Sequence, residues 1–190
     1  MLKMNRNMGF TLIELVAVIV ILGILSAFAL PRFASMSDDP HESVAKGAFA
    51  AFESGVKIFH ACYVAKGSGG FRTDLNCFGN DSVASAVTEY PLGTTTGSSA
   101  NGTILNGANC QELWETLLEH NDFVLAFHTD ANFVSENDII YWYAGGDVTS
   151  NSTYCYYNYI ADDPRKGQEN WQVRYYPATG EVTIGRETLG

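Results

Sequence analysis

The residues of this chain that are able to do chemistry are few and scattered. Cys62, Cys77, Cys110 and Cys155 form no CxxC pair, and their spacing does not suggest a zinc site. An even number of cysteines, all beyond an export-type N-terminus, points instead to two disulfides in an oxidising compartment. Sequence alone allows three pairings, of which Cys62–Cys77 with Cys110–Cys155 is favoured. His41, His60, His120 and His128 are dispersed and read as surface or half-buried residues rather than ligands. The acids Asp130, Glu136 and Asp138, and the pair Asp162-Asp163, lack the spacing of an EF-hand. There is no GxSxG, HExxH, P-loop or dinucleotide fingerprint. We therefore expect no catalytic residue, no metal and no cofactor, and a protein that is not an enzyme.

One ionisable group sits in an unusual place. Glu14 lies near the start of an apolar run from Phe10 to Leu30. An ionised carboxylate within hydrocarbon costs about 3 kcal/mol, so a counterion is expected there. The segment that must position Glu14 starts with nine residues containing Lys3 and Arg6, followed by the run of 21, apolar but for Thr11, Glu14 and Ser26. At about 1.5 Å per residue such a run spans about 31 Å, the thickness of bilayer hydrocarbon. A secretory signal has a shorter core of roughly 7–15 residues and a cleavage site after it. The run therefore reads as a transmembrane helix, its basic end cytoplasmic and the rest of the chain outside. Gly23 and Pro31 weaken a helix and mark where it can loosen.

The stretch "GFTLIELVAVIVILGILSAFALPRF" resembles the class III signal and helix of type IV pilins and of the type II secretion pseudopilins. The likeness rests on the short basic leader, Gly9 before Phe10, Glu14 in the apolar run and Pro31 at its end. It implies that a prepilin peptidase cuts after Gly9 and methylates the new N-terminal Phe10. It further implies a helical filament with other pilin subunits, an inner-membrane assembly platform as partner, and residence first in the inner membrane, then in a surface pilus. Glu14 of one subunit would neutralise the Phe10 amine of a neighbour, removing two desolvation penalties at once. The shorter stretches "LPRF", "NCQELWETLL", "CYYNY" and "YYPATGEVT" are similar to mannose-sensitive haemagglutinin pilins. A type II secretion pseudopilin or a minor pilin is the alternative role.

Beyond Pro31, Ala45, Phe49, Phe52, Val56, Phe59 and Tyr63 recur at spacings of 4, 3, 4, 3 and 4, one apolar face of an amphipathic helix. Lys46, Glu53 and Lys57 keep its other faces wet, and Gly67-Ser68-Gly69-Gly70 ends it. Residues 67–108 read as loop. A short helix follows, with Asn109 as its cap and Glu112 completing a capping box. From residue 123, "FVLAFHT", "DIIYWYAGG", "STYCYYNYIA", "NWQVRYYP" and "EVTIGR" read as strands, the last two joined by a turn at Pro177-Ala178-Thr179-Gly180. Tyr141, Trp142, Tyr143, Tyr154, Tyr156, Tyr157 and Tyr159 should alternate between core and surface; the outer ones suit sugar stacking or subunit contacts.

The expected class is thus α+β with the type IV pilin fold: a long N-terminal helix, transmembrane in one half and amphipathic in the other, packed on a C-terminal antiparallel β-sheet. The expected segments are a leader at 1–9, the assembly helix at 10–31, the amphipathic half at 32–66 and a globular head at 67–190. A formal charge of −10 argues against nucleic acid as a partner.

Overall fold

The structure, a computed structural model, describes residues 12–34, 39–67, 69–73, 75–78, 81–94, 100–118 and 122–189; at 27–34, 39, 81–82 and 100 it describes the backbone alone. The chain divides into two units between Pro40 and His41.

The first unit contains helix α1, Leu12–Ala34. Its residues are mostly Leu, Ile, Val and Ala, and the backbone stays helical through both Gly23 and Pro31. Proline removes one hydrogen bond from the ladder there without ending the helix.

The second unit is built around helix α2, Asp39–Ala65. The stripe read from the sequence is its inner face: Ala45, Phe49, Phe52, Val56, Phe59 and Tyr63 are each at most 1% exposed. Burial of each large side chain in that stripe contributes roughly 1.5–3 kcal/mol. On the wet side, Lys46 pairs with Glu42 and Lys57 with Glu53, each four residues apart. The helix stops as Gly67 turns to φ +86. Arg72 then donates from Nη1 to the carbonyls of Lys66 at 3.0 Å and Gly67 at 2.9 Å, setting a cation at the negative end of the helix.

The stretch expected as loop holds a small sheet, which corrects that reading. Strands β1 (Leu75–Phe78), β2 (Asp81–Ser85) and β3 (Pro91–Thr94) pair antiparallel in the order β1-β2-β3. These strands are four or five residues long and are held by tertiary contacts. Helix α3, Gly107–Leu117, begins earlier than expected. Its cap is Asn106, not Asn109: Asn109 N–H donates to Asn106 Oδ1 at 3.1 Å, and Asn106 N–H donates to Asn109 Oδ1 at 3.0 Å. Glu112, freed from capping, accepts from the Thr94 N–H at 2.9 Å and ties α3 to β3.

The large sheet has five strands in sequential order: β4 (Leu125–Phe127), β5 (Ile139–Ala144), β6 (Tyr154–Tyr159), β7 (Glu169–Tyr176) and β8 (Glu181–Thr188). It is antiparallel except for β4, which runs parallel to β5. The sheet is therefore mixed, and "FVLAFHT" supplies only three strand residues. The turn Pro177–Gly180 closes the β7–β8 hairpin, with Gly180 N–H donating to the Tyr176 carbonyl at 2.9 Å.

Strand alternation sorts the side chains. Tyr141, Tyr157 and Val173 lie in register on the inner face, where Phe52 meets the Tyr157 ring at 5.1 Å and the Tyr175 ring at 6.1 Å. Trp114 of α3 stacks on Phe52 at 5.6 Å and 19°. The architecture is α+β, helices covering one face of an antiparallel to mixed sheet.

Candidate functional site

The N-terminal residues that the sequence marks for processing, Gly9 and Phe10, lie outside the described residues. Glu14 is described: it stands in the first turn of α1 and is exposed. An acid there complements the positive end of the helix dipole. Around it, the large apolar side chains from Leu12 to Leu25 are 43–79% exposed on every side of the helix. A helix that is apolar all round is stable only when lipid or other helices cover it. Gly23 faces open space, with nothing within 4 Å of a Cβ placed there. Among the described residues, no helix is long and apolar enough to cross a membrane. The span expected at 10–31 extends past them, since Phe10 and the side chains of 27–31 are not described.

In the second unit the four cysteines form two disulfides, Cys62–Cys77 and Cys110–Cys155. The first joins the last turn of α2 to β1, and both its cysteines are half-buried. The second joins α3 to β6, and both its cysteines are fully buried. Beside the second, the Tyr157 hydroxyl donates to the Cys110 carbonyl at 2.5 Å. Burial pushes the Tyr157 phenol well above its ordinary pKa, so it stays a donor.

The acids weighed as cation ligands have other work. Asp130 pairs with Lys166 at 2.7 Å, and Asp138 Oδ2 accepts from the Val124 N–H at 2.7 Å. Asp163 takes two hydrogen bonds from the Arg165 guanidinium, which hold its carboxyl down at about 2. Among the described residues no group of three or more His, Cys, Asp or Glu is placed to hold a metal. The described histidines are likewise packed against rings. His41 Nδ1 lies 2.9 Å from the Tyr159 hydroxyl, His60 stacks on Tyr90 at 4.4 Å, and His128 bonds Tyr156. Burial, then Lys166, lowers the His128 pKa.

The aromatic strand residues divide as alternation demands. Tyr141, Tyr157 and Tyr159 are buried, while Trp142, Tyr154 and Tyr156 reach the outer face. The outer rows are Trp142, Tyr156, Arg174 and Thr183, and next to them Ala144, Tyr154, Tyr176 and Glu181. Sequence reading named three of these rings but missed Tyr176 and Arg174. Their place follows from register across three strands, which no single segment displays.

Comparison with known proteins meets this chain at its N-terminal third. Residues 4–30 match the family described as "Prokaryotic N-terminal methylation motif". The chain is 47% identical over 62 residues to the Type IV narrow pilus major component PilA5 of Thermus thermophilus, covering 33% of this chain and 52% of that protein. It is 38% identical over 58 residues to Type II secretion system core protein G of Pseudomonas aeruginosa, covering 30% and 41%. It is 44% identical over 54 residues to the Type IV major pilin protein PilA of Myxococcus xanthus, covering 28% and 24%. The aligned region thus spans about half, or less, of the length of these relatives. No solved structure matches. The methylation motif and the likeness of its N-terminal third, beside an α+β fold of N-terminal helices and sheet, thus make the chain similar to type IV pilins and to a type II secretion core protein over that third.

Proposed function

We propose that this chain is a structural subunit of a type IV pilus, synthesised as a precursor and polymerised through its N-terminal helix into a surface filament for adhesion, biofilm formation or motility. The observation that carries the reading is one acid, Glu14, in a helical stretch, Leu12 to Leu25, otherwise apolar on every side, inside a segment matching the methylation motif. In this account residues 1–9 are a leader removed by a prepilin peptidase, residues 10–31 the membrane and assembly helix, residues 32–66 its amphipathic continuation and residues 67–190 the head. Cleavage after Gly9 creates a positive amine at Phe10, which the same peptidase methylates. Glu14 of one subunit and the Phe10 amine of the next form a counterion pair. Alone in hydrocarbon each charge costs several kcal/mol, so a lone subunit is penalised and a stacked one is not. The pair also sets the axial register of neighbouring helices.

Before assembly the subunit waits in the inner membrane, held by its helix, until the assembly platform extracts it. Apolar surface then exchanges lipid for other helices, so much of its burial is kept and polymerisation stays reversible. Gly23 and Pro31 give the helix room to loosen in a stretched fibre. The chain needs no cofactor and performs no catalysis. Its acidity, −10 overall, disfavours nucleic acid.

A second reading, a pseudopilin forming a short periplasmic piston, is favoured by the 38% identity to core protein G. The test is Glu14→Ala in cells that carry the assembly machinery. The variant should be inserted and cleaved but yield few fibres; normal fibres would remove the charge-pair argument. Deletion of the whole chain separates the two roles, because loss of secretion without loss of a surface fibre supports the piston.

A further inference from the structure

Among the described residues, all but one of the sheet edges are blunted. Strand β4 is three residues long. Strand β1 has four residues, an irregular register with β2, and the Cys62–Cys77 disulfide tying it to α2. Strand β3 also has four, with Pro91 at its start and Gly93 within, and the Glu112 carboxylate takes its Thr94 N–H. Short strands, prolines, bulges and covering groups are how folds keep an edge from pairing with another chain. Strand β8 has none of these. It runs eight residues, Glu181–Thr188, in unbroken register with β7, and contains no proline and no lysine. Among the described residues no strand lies on its far side. Just past its end the Leu189 carbonyl accepts from the Gly167 N–H at 3.0 Å, which holds the tail of the strand in place.

At about 3.4 Å per residue that edge is about 27 Å long. In an antiparallel ladder alternate residues turn both N–H and C=O away from the partner, so about four of each point outward along it. A strand added there would meet a different row on each face. The inner row is Val182, Ile184, Arg186 and Thr188, with Val182 packed against the core and Ile184 38% exposed. The Arg186 cation is already used on that face: it lies over the Trp171 ring at 5.4 Å and donates from Nη2 to the Glu169 carbonyl at 3.3 Å. The outer row is Glu181, Thr183, Gly185 and Glu187, with an acid at each end. Glu187 shares its charge with Arg174 at 3.0 Å, yet its side chain stays 46% exposed.

We infer that the β8 edge takes up an extended, basic segment of another protein as an added strand of the large sheet. Main-chain hydrogen bonds supply the affinity, and alternate side chains choose the partner. The segment carries lysine or arginine where it faces Glu187 and Glu181. Between them, on its other face, it carries β-branched residues opposite Ile184 and Val182. A chain of net charge −10 draws such a segment in from a distance. A second copy of β8 is a poor match. Two such strands paired antiparallel about Ile184 set Glu181 against Glu187 twice, and paired about Gly185 they set Ile184 against Arg186 twice. Like charges directly opposite are destabilising, and an aliphatic side chain opposite a guanidinium gains little. The inference rests on the sheet alone and is independent of the filament reading.

The test is fluorescence anisotropy of a labelled peptide, Lys-Thr-Thr-Val-Thr-Val-Lys, titrated with the full-length chain in detergent micelles. Saturable binding with a Kd below about 1 mM is expected. Hydrogen exchange read by mass spectrometry should slow across 181–189 when the peptide is present. Two complementary peptides, methylated on alternate backbone nitrogens, should differ: the one whose methyl groups face β8 should not bind. Replacing both peptide lysines with glutamate should weaken binding about tenfold. Glu181→Lys alters an exposed side chain; it should weaken the lysine peptide about fivefold and strengthen the glutamate peptide. Thermal melting of the variant verifies folding. The inference is overturned by an absence of saturable binding, by both methylated peptides binding like the parent, or by β8 amides that exchange equally fast with and without peptide. Sedimentation showing a dimer of the chain in which the same amides are protected without peptide would assign the edge to self-pairing and equally overturn it.

Discussion

Replacing Gly180 with alanine tests how the two sheets of the second unit are locked together. Gly180 closes the β7–β8 turn at φ +69, where a Cβ is disfavoured by roughly 1–2 kcal/mol. A Cβ there would also lie 2.0 Å from Cε1 and 2.3 Å from Cδ1 of Tyr90. That ring is itself pinned by His60, stacked at 4.4 Å, so it has little room to retreat. Forcing extra volume into a packed contact adds roughly 1–3 kcal/mol. The expected total is about 2–5 kcal/mol, a large share of the roughly 5–15 kcal/mol that holds a domain folded. Urea unfolding in micelles, followed by tryptophan fluorescence, reads this directly, since Trp114, Trp142 and Trp171 all lie in the second unit. A cycle with Tyr90→Ala separates the two causes. Without the ring, Gly180→Ala should cost only the backbone part, about 1–2 kcal/mol. An equal cost in both backgrounds, or a cost below about 0.5 kcal/mol in the wild type, would refute the reasoning.

The two disulfides should differ in lability. Under a mild thiol reductant with alkylation and peptide mapping, half-buried Cys62–Cys77 should open before fully buried Cys110–Cys155; the reverse order would contradict the burial argument. Tyr157→Phe removes the hydroxyl that serves the Cys110 carbonyl and should destabilise by about 1–3 kcal/mol in the same urea assay. The Asp163 carboxyl should titrate near pH 2 by NMR, because hydrogen bonds from Arg165 favour its charged form. Its pKa is depressed, so the pairing is complete above the ordinary carboxylate value and is lost as pH falls through about 2; Arg165→Ala should move the midpoint back up.

The inner stripe of α2 was legible in the sequence because helix period and aromatic size speak together there. All six of its residues prove buried. The strands from residue 125 onward were legible for a similar reason, being rich in tyrosine and β-branched residues. The small sheet was not. Its strands include Pro91 and Gly93, poor strand formers, and it forms because Cys62 holds β1 and Glu112 holds β3. The helix α3 cap was misread by one turn because Asn106 and Asn109 are the same residue type, and either can cap. The parallel β4 was hidden because strand direction depends on the path of the chain between strands, not on composition. For the N-terminal segment the sequence said most: Glu14 stands out as the acid in an apolar run, the resemblance to prepilins marks Gly9 and Phe10, and the matched methylation motif, residues 4–30, spans all three positions. The outer rows of the large sheet could not be read in advance, since they need Gln172 opposite Gly185 and Arg174 opposite Thr183 across two strands.

The most direct test of the assembly account is the mass and N-terminal sequence of this chain in fibres sheared from cells. The account predicts a chain that begins at Phe10 with one methyl group on its amine. A native chain that still begins at Met1 would leave Glu14 without the amine it is proposed to neutralise, and would contradict the account.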